Sequence, residues 1–339
     1  MSSTIKMGVI GLGAFGKNII KPISFLHSKD EITVTAVCDV NATVAEEVAK
    51  HHDIPHWYHS HHDMLSEMDL DLIYIATPPA THKKILNDVM DQGIHVLCEK
   101  PLANSILEAK NMWMKAEQTN VIHALHFGQN YLPPIKKFHQ MVKDGFLGDL
   151  KRISLTMHYP NWPPEWQQNS WISTREQGGF LLEQGIHLIQ AIQRMFGRIT
   201  HVQSEVHYPS VDECENNVIA RMKLETGETI LIDGVSGVAG EENVSLTAYG
   251  TKGTITFKNF RTLLAGSTGE PLMELELEHP SEHPWILKHI IDAIHGKAAD
   301  IYDFSKGYEA QVVLDVLRKA ENKWVDLSSY YKHVEDIKI

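Results

Sequence analysis

The sequence predicts an α/β protein of two domains: a doubly wound parallel sheet, then an α+β domain built on a mostly antiparallel sheet. Three observations carry this. Short apolar runs alternate with helical patterns through the first third of the chain, as strands buried on both faces do. A glycine-rich turn joins the first run to the first helix. Around Gln129 the alternation stops and the chain becomes strand-rich with short turns. A length of 339 residues suits two domains and a sizeable core. The boundary is drawn at 128/129, giving domains 1–128 and 129–339 and leaving room for the C-terminal helix to pack back on the first.

In order, Lys6–Ile10 reads as a strand, Ala14–Leu26 as a helix and Ile32–Cys38 as a buried strand. Thr43–His51 is helical, with Asn41 or Thr43 able to cap it. Leu70–Ala76, His95–Cys98 and Val121–Leu125 are further strands. Thr81–Gln92, stopped at Gly93, and Ser105–Thr119 are helices. Beyond Gln129, Tyr131-Leu132-Pro133-Pro134 opens a helix to Asp144, and Gly148 leads into a strand ending at Tyr159. After a helix over Leu181–Phe196 come strands at Val202–His207, Val218–Leu224, Thr229–Val235, Val244–Tyr249, Gly253–Phe257 and Met273–Leu277. Their alternation and short turns suit antiparallel pairing. Helices at Pro284–His295 and Ser305–Lys323 finish the core.

A formal charge of −12 argues against a nucleic-acid surface, which needs a basic patch or stripe. Three scattered cysteines, Cys38, Cys98 and Cys214, make no disulfide framework. No apolar run of about 20 residues spans a membrane, and Met1-Ser2-Ser3 leads into a strand without a signal region. A cytoplasmic location is expected.

Gly11-Leu12-Gly13-Ala14-Phe15-Gly16 matches G-x-G-x-x-G, after a strand and opening a helix. Such glycines allow a tight turn, close approach of a pyrophosphate and close helix–strand packing. The helix start offers its unpaired N–H groups to phosphates. Asp39 ends the second strand at about the spacing, some 20 residues, expected of an acid bonding ribose hydroxyls. No arginine accompanies it in Asp39-Val40-Asn41, and its carboxylate would repel a 2′-phosphate. NAD is therefore expected ahead of NADP.

The next two strand ends carry Thr77-Pro78-Pro79-Ala80-Thr81-His82 and Glu99-Lys100-Pro101. Ligands of open parallel sheets bind at the carboxyl ends of strands, which places Thr77, Pro78, His82, Glu99 and Lys100 near a bound dinucleotide. His82 could contact it or merely begin its helix. A lysine there can donate a proton or steady a developing negative charge. In the second domain, Gly178-Gly179-Phe180-Leu181-Leu182-Glu183-Gln184-Gly185-Ile186-His187 sets Glu183 and His187 four apart, on one helix face. A carboxylate one turn before a histidine can orient the ring of a general base.

Together these segments resemble the glucose–fructose oxidoreductase / inositol dehydrogenase / rhizopine catabolism (Gfo/Idh/MocA) family over essentially the whole chain. The resemblance implies an N-terminal Rossmann domain and a C-terminal domain whose large open sheet often makes oligomer contacts. It also implies a nicotinamide-dependent oxidoreductase of a sugar, sugar derivative or cyclitol. Carried onto this sequence, Lys100 and His187 are the expected catalytic residues, with Glu183 as partner. Three positions depart from the family pattern. Glu183 stands where aspartate is usual, Gln190 where a second aspartate is frequent, and Asn130, before Tyr131, where arginine is common.

The expected reaction is hydride transfer from a carbinol of a small polyhydroxylated substrate. His187 takes the hydroxyl proton, Glu183 orients it and Lys100 hydrogen-bonds the reacting oxygen. Substrate contacts are also expected from Tyr131 and from the loop Tyr159-Pro160-Asn161-Trp162-Pro163-Pro164-Glu165-Trp166. There Tyr159, Trp162 and Trp166 offer flat faces to a sugar ring or form a local core. A homo-oligomer, dimer or tetramer, is expected through the second sheet. Two other readings keep the scaffold: an NAD-dependent glycosidase acting by transient oxidation, and a non-catalytic nucleotide-sensing regulator. His51, His52, His56, His59, His61 and His62 crowd one stretch without fixed ligand spacing, and no functional metal is expected.

Overall fold

β1 (Ile5–Ile10), β2 (Ile32–Cys38), β3 (His56–Tyr58), β4 (Leu72–Ile75), β5 (His95–Cys98) and β6 (His123–Leu125) form one sheet in the order β3-β2-β1-β4-β5-β6. Every pairing in it is parallel. This computed structural model describes residues 4–27, 31–165, 167, 171–277 and 285–337. β4 is buried along its whole length, which is why the central strands read as unbroken apolar runs. Between the strands run α1 (Ala14–His27), α2 (Ala42–His51), α3 (His61–Glu67), α4 (Pro79–Asp91) and α5 (Ile106–Thr119). Asn41, not Thr43, caps α2, its side chain accepting from the N–H groups of Thr43 and Val44. Ser105 caps α5 by accepting from the N–H of Glu108.

β3 and α3 lie outside the elements read from the sequence. β3 is three residues long and half exposed, and it is held by backbone pairing with Ala36–Cys38 rather than by an apolar pattern.

A 3-10 turn (Gly128–Tyr131) and α6 (Pro133–Lys143) begin the second half of the chain. β7 (Leu150–Tyr159) follows, then a π-helical turn (Leu181–Gly185) that continues as α7 (Ile186–Phe196). β8 (Ile199–His207), β9 (Asn217–Leu224), β10 (Thr229–Ser236), β11 (Asn243–Gly250), β12 (Gly253–Lys258), β13 (Thr262–Ser267) and β14 (Met273–Glu274) come next. With β15 (Val325–Asp326) they make a nine-stranded sheet among the described residues, ordered β14-β13-β12-β11-β7-β10-β9-β8-β15. Its pairings are antiparallel except β10 with β7, which run parallel because β7 sits between the two strand meanders. Ile153, Leu155, Met157 and Tyr159 of β7 face the core. The opposite face, with Ser154, Thr156 and His158, is only partly covered. β13 is an addition to the sequence reading.

The chain divides into two units, and the division is discontinuous: Met1–Gly128 with Pro280–Tyr308, and Gln129–His279 with Glu309–Ile339. α8 (Trp285–Ile294) and the start of α9 (Phe304–Leu317) therefore belong to the first unit, although the sequence division leaves them in the second domain. Leu125 of β6 donates its N–H to Tyr302 O at 2.8 Å, and Phe304 donates its own to His123 Nδ1 at 3.1 Å. Trp113 stacks on Tyr308. The last helix, α10 (Ser328–Ile337), stays with the second unit, where the Tyr331 hydroxyl donates to Ile199 O.

Candidate active site

In the first unit the glycine loop is fixed by two of its three glycines. Gly11 has φ +91°, and a Cβ there would lie 2.6 Å from Ala76 O; a Cβ at Gly16 would lie 1.9 Å from Gly11 O. The fold itself demands these two. Gly13 is different, because a Cβ there meets nothing within 4 Å. Packing within the protein therefore does not require a glycine at this position, and the open space leaves room for a pyrophosphate to approach. Ala14 and Phe15 open α1 beside it.

Asp39 accepts the N–H of Leu12 at 2.8 Å on one carboxylate oxygen and that of Asn41 at 2.9 Å on the other. It thus braces the glycine loop, and each oxygen keeps a lone pair for a ribose hydroxyl. These residues fit a dinucleotide. Its nicotinamide ring supplies a hydride acceptor when bound.

Three neighbouring strand ends converge beside Lys100. Glu99 after β5 accepts from the Tyr74 hydroxyl of β4 and, at 2.6 Å, from His126 Nδ1 after β6. Burial alone would raise the Glu99 carboxyl. The His126 ring, Lys100 and the Tyr74 hydroxyl outweigh it and hold the group down to about 2. Glu99 is thus an ionised anchor. Lys100 next to it is 7% exposed, its ammonium 5.9 Å from the centre of the Phe15 ring in the glycine loop.

His82 is fully buried, with Nδ1 3.1 Å from Pro101 O and Nε2 2.9 Å from Thr77 O. Both ring nitrogens face backbone carbonyls, so the residue ties the Thr77 loop to the Lys100 loop. Burial pulls its pKa down, against those carbonyls. It could reach a cofactor only by giving one of them up. Thr77 takes a hydrogen bond from Thr81, and Pro78 lies exposed at the loop surface.

In the second unit, Glu183 lies in the π-helical turn and His187 in the first turn of α7; both are buried. π-turns of this kind recur at functional sites. Amide side chains bond to Glu183 and to two neighbours on the same helix. Gln167 Nε2 donates to Glu183 Oε2 at 3.0 Å, Gln129 Nε2 to Gln184 Oε1 at 2.6 Å, and Asn130 Nδ2 to Gln190 Oε1 at 2.9 Å. The last pair joins two of the three departures from the family pattern. Where an arginine and an aspartate are common, this chain holds a buried neutral pair.

Sequence reasoning missed Glu215, which is 0% exposed beneath this turn. Its Oε1 accepts the N–H of Leu181 at 2.7 Å, and among the described residues Oε2 has no hydrogen-bond partner. Burial pushes the carboxyl up to about 6, against the pull of Arg318 and the Leu181 N–H. Gly179, at φ +101°, leaves room for it: a Cβ there would lie 2.3 Å from the carboxylate. The paired glycines did signal a close approach. Nothing in the local sequence says to what.

Tyr159 and Trp162 pack on Phe180, with ring centres 5.6 and 6.0 Å away. Tyr159 is buried and burial raises its hydroxyl pKa, so it and Trp162 form a local aromatic core. Tyr131 is buried too, under the Lys136 ammonium. Trp166 lies outside the described residues.

A family model described as "Oxidoreductase family, NAD-binding Rossmann fold" matches residues 5–127, and one described as "GFO/IDH/MocA C-terminal domain" matches residues 135–256. The chain is 25% identical over 282 residues to the uncharacterized oxidoreductase YrbE of Bacillus subtilis (strain 168), covering 81% of this chain and 80% of that one. It is 27% identical over 193 residues to trans-1,2-dihydrobenzene-1,2-diol dehydrogenase of Bos taurus, spanning 57% of this chain and 56% of that one. A levoglucosan dehydrogenase solved in complex with NADH shares the fold, with a TM-score of 0.85 at 17% identity over 96% of this chain and 99% of that one. The glycine loop, the Glu-Lys-Pro strand end and both family matches converge: the chain belongs to the Gfo/Idh/MocA oxidoreductases, and it is a dehydrogenase with an NAD-binding Rossmann domain.

Proposed function

We propose that the protein oxidises a secondary hydroxyl of a sugar, sugar derivative or cyclitol, with NAD as hydride acceptor. One observation carries this most directly: a lysine buried at a strand end, its ammonium 5.9 Å from a ring of the nucleotide loop. In this reading Lys100 hydrogen-bonds the reacting oxygen and steadies its developing charge. His187 takes the hydroxyl proton on a ring nitrogen, and Glu183, braced by Gln167, orients it. Levoglucosan and dihydrobenzenediol, named for two similar proteins, both offer secondary hydroxyls to such a site. Asp39 supports NAD over NADP, since its carboxylate would face a 2′-phosphate. Asp39→Ala should narrow the preference, and equal use of both cofactors by the unaltered enzyme would count against it.

The partly covered face of the nine-stranded sheet, where Ile219 is 61% exposed, supports a homo-oligomer; mass by light scattering tests it. Among the described residues no helix is long and apolar enough to cross a membrane. The three free, buried cysteines suit the reducing cytoplasm.

The deciding experiment is a screen for NADH formation across sugars, sugar acids, cyclitols, trans-diols and glycosides, repeated with Lys100→Ala. Turnover on a polyol that falls about 10²–10³-fold in the variant while NAD still binds supports the reading. NAD binding without turnover on any substrate points to a nucleotide-sensing regulator. Sugar release from a glycoside without net NADH points to a glycosidase.

A further inference from the structure

The histidine-rich stretch 51–62 takes no part in the chemistry above, yet two of its rings meet a carboxylate from another helix. His61 and His62 stand at the head of α3, and Asp88 lies on α4, more than a turn beyond His82. His61 Nε2 is 2.9 Å from Asp88 Oδ2, and His62 Nδ1 is 3.8 Å from the same oxygen. One ligand atom from each residue lies within 4.8 Å of the other two. Donors around a tetrahedral zinc stand about 3.3 Å apart when the bonds are about 2.0–2.1 Å. The two distances bracket that value. A small rotation of each side chain would place all three atoms on one ion.

We propose that His61, His62 and Asp88 form a divalent transition-metal site that clips α3 to α4. The donor set is two imidazole nitrogens and one carboxylate oxygen. It favours Zn²⁺, Ni²⁺ or Cu²⁺ over Mg²⁺ or Ca²⁺, which take oxygen ligands. His62 is exposed and Asp88 half-exposed, so the ion enters from solvent and keeps water in its remaining positions. The His61–Asp88 hydrogen bond already holds two of the three donors together, which lowers the ordering cost of binding. The His61 and His62 rings already lie side by side, their centres 4.1 Å apart. None of the three residues belongs to the glycine loop or to the proposed catalytic set. The role is a clip, not a catalytic metal. Because the ion binds only where α3 and α4 are in place, it stabilises the folded chain.

The test is calorimetric titration of the chelator-treated protein with ZnCl₂, and separately with MgCl₂. The expected result is one Zn²⁺ per chain, no Mg²⁺ signal, and a melting temperature raised by Zn²⁺. His61→Ala and Asp88→Asn should each weaken Zn²⁺ binding by about tenfold or more and cancel the thermal shift. His59→Ala, in the same stretch, should leave both unchanged. NADH binding in every variant reports that the first unit is folded. No Zn²⁺ binding by the unaltered protein overturns the proposal. So does binding that survives both His61→Ala and Asp88→Asn, or that falls equally with His59→Ala.

Discussion

Glu99 in the first unit and Glu215 in the second are both buried glutamates beside a segment proposed to carry chemistry. Glu99 takes its hydrogen bonds from a histidine ring and a tyrosine hydroxyl, with Lys100 adjacent, and its carboxyl is held down to about 2. Glu215 takes one from a backbone N–H on Oε1, its other oxygen has no hydrogen-bond partner among the described residues, and its carboxyl is pushed up to about 6. Burial is the same, so the partners decide the sign. The first unit fixes its lysine with a permanent charge. The second holds its helix with neutral amide pairs and one carboxyl poised between its two forms.

The largest expected effect comes from breaking the first arrangement. Glu99→Ala leaves the buried Tyr74 hydroxyl and the half-buried His126 ring without their carboxylate, beside Lys100, and should cost about 3–5 kcal/mol in urea unfolding. A loss below 1 kcal/mol would mean that the Glu99 carboxylate does not hold these strand ends together. Next is Gly179→Ala, which combines a positive φ with displacement of the Glu215 carboxylate. It should cost about 2–3 kcal/mol, and less when Glu215→Ala is made as well. Strict additivity would show that the two do not press on each other.

The acid dependence sharpens the contrast further. Glu215 has its folded carboxyl raised from 4.5 to about 6, so its contribution is full below about pH 4.5 and is lost as pH rises through 6. That difference is about 2 kcal/mol, and Glu215→Gln should remove it from the unfolding free energy measured between about pH 4 and pH 7. Glu99 runs the other way: its contribution is present above about pH 4.5 and fails as pH falls toward 2. A Glu215→Gln profile parallel to the unaltered protein would end the comparison. The smallest effect is the Asn130–Gln190 pair, whose double-mutant coupling should be about 1 kcal/mol; zero coupling would leave the two departures unrelated.

What could be read from the sequence lay close together along it. Gly11 to Gly16, Asp39 and Glu99-Lys100 announce themselves because strand ends and glycine turns are local. Their supports do not. His126 reaches Glu99 across 27 positions, Gln167 reaches Glu183 across 16 and Glu215 reaches Leu181 across 34. No periodicity records such meetings. The helix over Leu181–Phe196 was legible, but its π-helical first turn was not: from Phe180 to Ile192 every residue but Gln184 is buried, so there is no one-sided apolar stripe whose phase an extra residue would shift. Short β3 and terminal α10 carry too little apolar pattern to stand out from turns.

The discontinuous first unit has a consequence for how the chain is made. β6 is the edge of the first sheet, and its Leu125 N–H is capped by Tyr302, while Trp113 waits for Tyr308. A ribosome finishes Gly128 roughly 180 residues before it reaches Tyr308, on the order of ten to thirty seconds at about 5–20 residues per second. Throughout that interval the nascent nucleotide-binding half carries an uncovered strand edge and an uncovered tryptophan. Those are the surfaces that invite wrong pairing. A gene cut after Gly128 would make that exposure permanent.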